Sequence, residues 1–392
     1  RRRLIEVAVP VGVIAGLIPS TNPTSTVIFK TLIALKAGNA IIFSPHPNAR
    51  ECIQETVRIL SEAIVAAGAP EGLVSCMTVL TREGTAELMR HRDVALILAT
   101  GGSEMVHAAY SSGTPAIGVG PGNTPAFIER TADVPTAVRR IIESKTFDYS
   151  TICASEQSVV ADAPVERAVR EEFARQGGRF LSPDEAARVA SVIFNAAGKM
   201  NARLVGRSPQ MIGEAAGVAV GPEVRVLLAE QSGVGRKFPF SQEKLCPVLA
   251  FYTEDGWENA CERCLELLNY EGAGHTLAIH SQDERVVREF GLKKPVSRII
   301  VNAGSSLGGV GGTTSLLPSL TLGCGAAGHN ATSDNVGPLN LLNVRRVAWG
   351  LREIGELYPE SLSSQGTGLD EPGMDALVGR IVDELAVRLG LD

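Results

Sequence analysis

Short, mostly apolar runs, most of them followed by a segment with helical spacing, constrain this chain more than any other feature. The runs at 40–43, 73–79, 94–98 and 116–119 show no polar alternation. A strand with one wet face alternates apolar and polar residues, whereas a strand without alternation is covered on both faces. The segments at 24–36, 49–67 and 84–90 read as helices, and the first carries Val27, Ile28, Thr31, Leu32 and Leu35 before the stop at Gly38. The alternation predicts an α/β fold on parallel sheets. A strand is also predicted over 7–18, ended by Pro19-Ser20-Thr21-Asn22-Pro23.

A second α/β unit is predicted from residue 126. Helices are expected at 134–145, 165–175 and 183–197, and a β-branched strand at 158–161. Residues 203–229 read as strand and loop, and 251–300 as strand, helix, strand, helix, strand. The glycines of 304–312 predict loop, 338–349 an exposed or edge strand, and 358–373 a linker. A last amphipathic helix is expected over 374–391, with Leu377, Val378, Ile381, Val382, Leu385 and Leu389 on one face.

A length of 392 residues suits two domains, and 44% hydrophobic with 20% charged residues places the chain among soluble globular enzymes. A net charge of -6 gives no general affinity for nucleic acid or anionic membrane. No apolar run reaches the roughly 18–20 residues that span a bilayer. Seven scattered cysteines do not form a disulfide framework, so a reducing, cytoplasmic setting is expected. Arg1-Arg2-Arg3 imitates the start of a signal peptide, but Glu6 and Pro10 interrupt the apolar stretch behind it. The first residue is not Met, and the natural N-terminus is expected to lie upstream.

Cys153, in Phe147-Asp148-Tyr149-Ser150-Thr151-Ile152-Cys153-Ala154-Ser155-Glu156-Gln157, falls at a helix-to-strand junction among small and polar neighbours. A thiol there suits a nucleophile; a lone cysteine more often packs as a small hydrophobe. Asn22, past the end of a buried strand, offers an amide to a developing oxyanion, or serves as a helix cap before Pro23. Thr100-Gly101-Gly102-Ser103 ends a buried strand and opens a helix to about residue 110, a setting that cradles a pyrophosphate. Gly120 lies in another glycine turn. His46, between prolines, faces a cofactor or a surface turn, and Glu243 suits two ribose hydroxyls or a solvated loop. His275 is structural, or a base, or positions a thiol. Cys261-x-x-Cys264 has no second pair at metal spacing and lies in a helical run, so core packing and no metal are expected.

Taken in order, these segments resemble the aldehyde dehydrogenase superfamily, specifically its CoA-acylating branch. The resemblance runs through Pro10-Val11-Gly12-Val13, Ile18-Pro19-Ser20-Thr21-Asn22-Pro23, Leu35-Lys36-Ala37-Gly38-Asn39-Ala40, Phe43-Ser44-Pro45-His46-Pro47 and Ala99-Thr100-Gly101-Gly102. It continues through Val119-Gly120-Pro121-Gly122-Asn123, Ile152-Cys153-Ala154-Ser155-Glu156-Gln157, Glu243-Lys244-Leu245-Cys246-Pro247-Val248 and Gly274-His275-Thr276. It closes on Thr321-Leu322-Gly323-Cys324-Gly325 with Asn335-Val336-Gly337-Pro338. The segment is similar to the aldehyde-oxidising half of bacterial aldehyde–alcohol dehydrogenases and to the propionaldehyde and acetaldehyde dehydrogenases of bacterial microcompartments.

The resemblance implies a Rossmann-type cofactor domain over 1–125, lacking its N-terminal part, and an α/β catalytic domain over 126–331. It also implies an oligomerisation arm over 332–350; a linker (351–373) and an amphipathic helix (374–392) come after it. Cys153 matches the nucleophile, Asn22 its oxyanion partner, and His275 is a candidate for activating the thiol. Ile18, Pro19, Ser44, Pro45, His46, Thr100, Gly101, Gly102, Ser103, Gly120, Glu243 and Leu245 match the cofactor site, Glu243 on the nicotinamide ribose. The implied reaction oxidises a short-chain aldehyde, propionaldehyde or acetaldehyde, through a cysteine thioester to acyl-CoA, with NAD as hydride acceptor. NADP is the alternative, because Ser44 replaces the Lys usual on the adenosine ribose. Hydrolytic members carry a Glu base near the position of Gly118-Val119-Gly120-Pro121-Gly122, where this chain has no carboxylate. The competing readings are a hydrolytic aldehyde dehydrogenase and a catalytically silent scaffold assembled through its C-terminal helix. A homodimer or homotetramer is implied. The 374–392 helix suits either a microcompartment shell protein, placing the enzyme inside that compartment, or the enzyme's own surface.

Overall fold

The computed structural model describes residues 3–195, 197–357 and 371–389. The chain forms two compact units, one of Val9–Asn343 and one drawn from the two ends, Arg1–Ala8 with Val344–Asp392.

The larger unit holds two sheets. Strands β2 (Val13–Ile18), β3 (Ala40–Pro45), β4 (Val74–Cys76), β5 (Val94–Thr100) and β6 (Ala116–Val119) form the first, in the order β4-β3-β2-β5-β6. Every pairing in it is parallel. Ile14, Ile41, Phe43 and Leu98 pack on one face with Val27 of α1 (Pro23–Lys36) and Ile53 of α2 (Arg50–Ala66). Ala15, Leu17, Ile97 and Ala99 pack on the other with Met89 of α3 (Arg82–Arg90) and Ala109 of α4 (Ser103–Tyr110). Both faces are therefore dry, which is why these strands lack polar alternation.

The second sheet has seven parallel strands. They are β7 (Thr124–Ile128), β8 (Glu156–Asp162), β9 (Gly178–Phe180), β10 (Val226–Glu230), β11 (Val248–Glu254), β12 (Gly274–His280) and β13 (Val296–Val301), in the order β13-β12-β7-β8-β11-β10-β9. Its central strand β8 is buried throughout. On one face lies α5 (Val134–Thr146) with Ile141 and Ile142. On the other lies the helix Gly256–Tyr270, whose Cys261 and Cys264 are core residues, as expected from their helical spacing.

Several local expectations fail for physical reasons. The strand predicted over 7–18 is two strands, β1 (Leu4–Pro10) and β2, separated where Gly12 takes φ 127. Residues 203–229 contain a helix, Pro209–Ala216, opened by the Ser208 hydroxyl on the Met211 N–H and closed by Gly217 at φ 64. The helix predicted to 197 stops at Ile193. The glycine run includes a short helix, Ser305–Gly309, whose first residues are held by Glu156, Ala154 and Ser144.

In the smaller unit, β1 pairs with β14 (Leu342–Ala348) as a two-stranded ribbon. Its exposed apolar residues include Leu4, Ile5, Val7, Val344 and Val347. A helix at Glu371–Leu389 replaces the predicted 374–391, and the linker residues 358–370 lie outside the described ones. Among the described residues no helix is long and apolar enough to cross a membrane, and all seven cysteines are free.

Candidate active site

The chain enters the site from α5 through three consecutive non-glycine residues at positive φ, Asp148 (47), Tyr149 (46) and Ser150 (68). L-residues rarely take this conformation, and a run of three persists only where side chains fix it. The Thr151 hydroxyl donates to Asp148 Oδ2 at 2.6 Å, and Ser150 Oγ lies 2.8 Å from Ser155 Oγ. Cys153 comes next in a turn before β8, half-buried at the amino edge of the seven-stranded sheet. Burial, then the Glu243 and Cys324 charges, push its thiol up to about 12, and Arg298 opposes them.

Asn22 arrives from the other sheet, four residues past β2. It occupies the N-cap position of α1, but its side chain makes no cap bond there. Its Nδ2 lies 3.4 Å from Thr151 Oγ1 and 3.5 Å from Thr151 O, long contacts that bring the amide to the turn carrying Cys153. His275, on β12, places Nε2 3.1 Å from Cys153 Sγ and Nδ1 2.9 Å from Thr276 Oγ1. Burial, helped by the Arg298 charge, lowers its pKa to about 3, so the ring is neutral.

Glu243 completes the cluster. Its Oε1 accepts from the Gly122 N–H at 2.9 Å, and its own N–H donates to Glu271 Oε2 at 2.7 Å. Burial first, and the Glu271 charge second, raise its pKa to about 8. Beside it Lys145 Nζ is buried on Gln157 Oε1 and Lys244 O, at 2.9 and 3.0 Å. Strand β6 and the turn joining it to β7 have no room for another acid at their tightest points. A Cβ on Gly122 would stand 2.0 Å from Cys153 O, and one on Gly118 would stand 2.7 Å from Val106 Cγ1.

Of the remaining predicted residues, all but Leu245, which lies in the loop before β11, gather at the carboxyl edge of the five-stranded sheet. Its order reverses between β2 and β5, the switch point where open α/β sheets bind ligands. Ile18 and Pro19 lie at the end of β2, and Thr100, Gly101, Gly102 and Ser103 join β5 to α4. Two features fit a dinucleotide here. Thr100 Oγ1 is buried without a partner. Gly102, at the start of α4, has open space where a side chain would be and makes no side-chain cap, leaving backbone donors for phosphate. At the end of β3, Ser44 Oγ lies 2.9 Å from Thr85 Oγ1, and His46 Nδ1 accepts from the Asn48 N–H at 3.2 Å. Gly120 is open on its side-chain face, and Leu245 O accepts from the Gly206 N–H at 2.8 Å.

The profile of the aldehyde dehydrogenase family matches residues 1–311. The chain belongs to the aldehyde dehydrogenase family. It is 53% identical to an acetylating aldehyde dehydrogenase of Geobacillus thermoglucosidasius whose structure superposes with a TM-score of 0.88, over 90% of this chain and 79% of that one. A propionaldehyde dehydrogenase of Rhodopseudomonas palustris, solved with bound CoA and an acylated cysteine, is 27% identical with a TM-score of 0.81, over 88% of this chain and 77% of that one. The bifunctional aldehyde-alcohol dehydrogenase of Escherichia coli K12 is 47% identical over 349 residues, which are 88% of this chain and 39% of that relative. The chain thus spans about two-fifths of the length of that curated relative.

Within this aldehyde dehydrogenase fold the sequence reading missed Thr276, Arg298 and Lys30. Lys30 Nζ is buried between the switch-point strands, donating to Leu17 O at 2.9 Å and Leu98 O at 2.7 Å, and burial lowers its pKa to about 7. Arg298 carried a signal: an arginine in a β-branched run that reads as a strand, here buried in the edge strand β13, demands a purpose.

Proposed function

We propose that the chain oxidises a short-chain aldehyde, propionaldehyde or acetaldehyde, to acyl-CoA through a thioester on Cys153. The observation that carries this reading is the nucleophile turn itself. Cys153 faces His275, the Asn22 amide reaches the same turn at Thr151, and Gly118 and Gly122, which have no space for a side chain, stand in the stretch where hydrolytic members carry their Glu base. The acetylating relative at 53% identity and the acylated cysteine of the Rhodopseudomonas enzyme support it.

Bound NAD, or NADP, would rest on Thr100, Gly101, Gly102, Ser103 and Glu243 and supply the hydride acceptor. The chain's own groups do the rest. The Cys153 sulfur forms a bond to the aldehyde carbon, and the carbonyl pair moves to oxygen. Asn22 Nδ2–H and the Cys153 N–H stabilise that oxyanion, since fixed donors in a water-poor site need no reorganisation as charge develops. When hydride leaves, the carbonyl re-forms as a thioester. With no base placed on water, the thioester persists until the thiol of CoA adds to the acyl carbon and the Cys153 sulfur departs. The net change is aldehyde, CoA and oxidised dinucleotide to acyl-CoA, reduced dinucleotide and a proton.

The exposed apolar ribbon of β1 and β14 supports a homodimer or homotetramer, and Leu377, Val378, Ile381 and Val382, exposed on the last helix, support docking to a microcompartment shell protein. Steady-state assays across a short aldehyde series, following reduced cofactor and acyl-CoA together, test the reaction. Equimolar acyl-CoA and reduced cofactor are expected; free acid formed at the same rate without CoA would sink it.

A further inference from the structure

Arg298 is buried, yet among the described residues no carboxylate pairs with it. Its Nη1 donates to Asn335 Oδ1 at 3.1 Å, its Nη2 to His275 O at 3.1 Å and Gly323 O at 2.6 Å, and its Nε to Thr276 Oγ1 at 3.3 Å. The Asn335 amide is fixed in that sense, because its nitrogen donates to Gly309 O and Leu317 O at 2.9 and 2.8 Å. Thr276 and Arg298 are register partners on β12 and β13, so the contact is built into the sheet.

The arrangement sets the direction of each hydrogen bond. A guanidinium has no acceptor, so Thr276 Oγ1 must accept from Arg298. The hydroxyl then has one hydrogen to place, and His275 Nδ1, at 2.9 Å, is its acceptor. A neutral imidazole that accepts at Nδ1 carries its hydrogen on Nε2, which faces Cys153 Sγ at 3.1 Å. The opposite tautomer would leave the Thr276 hydroxyl hydrogen unpaired in a fully buried place, the costly case for a polar group.

We propose that Arg298 and Thr276 are positioning residues that fix His275 as its Nε2–H tautomer, so that the imidazole donates to the Cys153 sulfur and holds it as thiolate, the thiol proton passing to solvent at the half-buried sulfur and not to the ring. The proposal rests on the preceding reading only in taking Cys153 as the nucleophile. Electrostatics agree. Arg298 favours the thiolate and opposes an imidazolium beside itself, which burial opposes too. The other titratable groups acting on the thiol are Glu243, from the loop before β11, and Cys324, from the segment before Asn335; both oppose its ionisation. The Arg298–Thr276–His275 relay is thus the built-in source of stabilisation for the thiolate.

The test is the pH dependence of Cys153 alkylation by iodoacetamide on the full chain, read at the Cys153 peptide by mass spectrometry with Cys153→Ser as blank. Thr276→Val is expected to raise the alkylation midpoint by about one pH unit, roughly tenfold less thiolate at a given pH below it. Thr276→Ser is expected to restore the wild-type midpoint. Nitrogen-15 spectra of wild-type protein, with His275 assigned by loss in His275→Gln, are expected to show a protonated Nε2 and a bare Nδ1. A protonated Nδ1 overturns the proposal, as does a midpoint that is the same in Thr276→Val and Thr276→Ser. Should the Val variant fail to fold, the wild-type spectrum decides alone. Neither readout uses aldehyde or CoA, so failure of the acyl-CoA assay and failure of this inference are separate results.

Discussion

A thiol raised to about 12 beside an imidazole lowered to about 3 has no driving force to form an ion pair by itself. At the residue scale, the site therefore depends on what its neighbours donate. His280 makes a related point away from the nucleophile. It is buried, neither ring nitrogen has a partner, and burial with the Arg140 charge lowers its pKa to about 4. A base whose folded pKa lies below its unfolded value of about 6.5 costs stability as pH falls through that unfolded value, until the folded value is reached. Glu243, raised to about 8, has the opposite sign. The folded state keeps a proton that the unfolded chain releases above about 4.5, so stability from this group falls as pH rises toward 8. Stability is thus expected to decline from pH 6.5 to about 4 in the part due to His280 and to about 3 in the part due to His275. Thermal melts across that range should show a shallower acid loss for His280→Gln than for wild type. Equal slopes would mean that His280 is protonated in the fold.

At the scale of elements, legibility followed burial. Strands with both faces covered show their apolar runs plainly, and α1 announces itself through its spacing and Gly38. The helix Pro209–Ala216 was missed because eight residues give too little periodicity, although Ser208-Pro209 and Gly217 were a readable start and stop. The helix Ser305–Gly309 was not readable. Its conformation is held by Glu156 and Ser144, about 150 residues earlier in the chain. The same limit applied to the site. Cys153, Asn22 and Glu243 belong to local motifs, but Arg298 and Thr276 matter through a pairing between strands that no single stretch displays. The helix at Glu371–Leu389 carries its own expectation. If its exposed Leu377, Val378, Ile381 and Val382 dock to a shell protein, deleting residues 374–392 abolishes co-purification with that protein and leaves catalytic rates unchanged. Unchanged retention after the deletion removes the docking role.

At the scale of the molecule, the two sheets of the larger unit divide the labour. The five-stranded sheet has its switch point, the place proposed for the dinucleotide, between β2 and β5 and sends Asn22 to Thr151 in the turn carrying Cys153. The seven-stranded sheet presents Cys153 before its central strand and His275 from a second strand. The turn of Gly120, Pro121 and Gly122 joins the sheets and brings backbone, not a carboxylate, against Cys153. The central claim is that the acyl group waits on Cys153 for a thiol. It is tested most directly by mixing the protein with propionaldehyde and NAD without CoA, quenching, and mapping adducts by peptide mass spectrometry. A propionyl adduct on Cys153 that persists for minutes, then clears within seconds of CoA addition with formation of propionyl-CoA, is the predicted result. An unmodified Cys153, or an adduct lost to propionate equally fast without CoA, would contradict it.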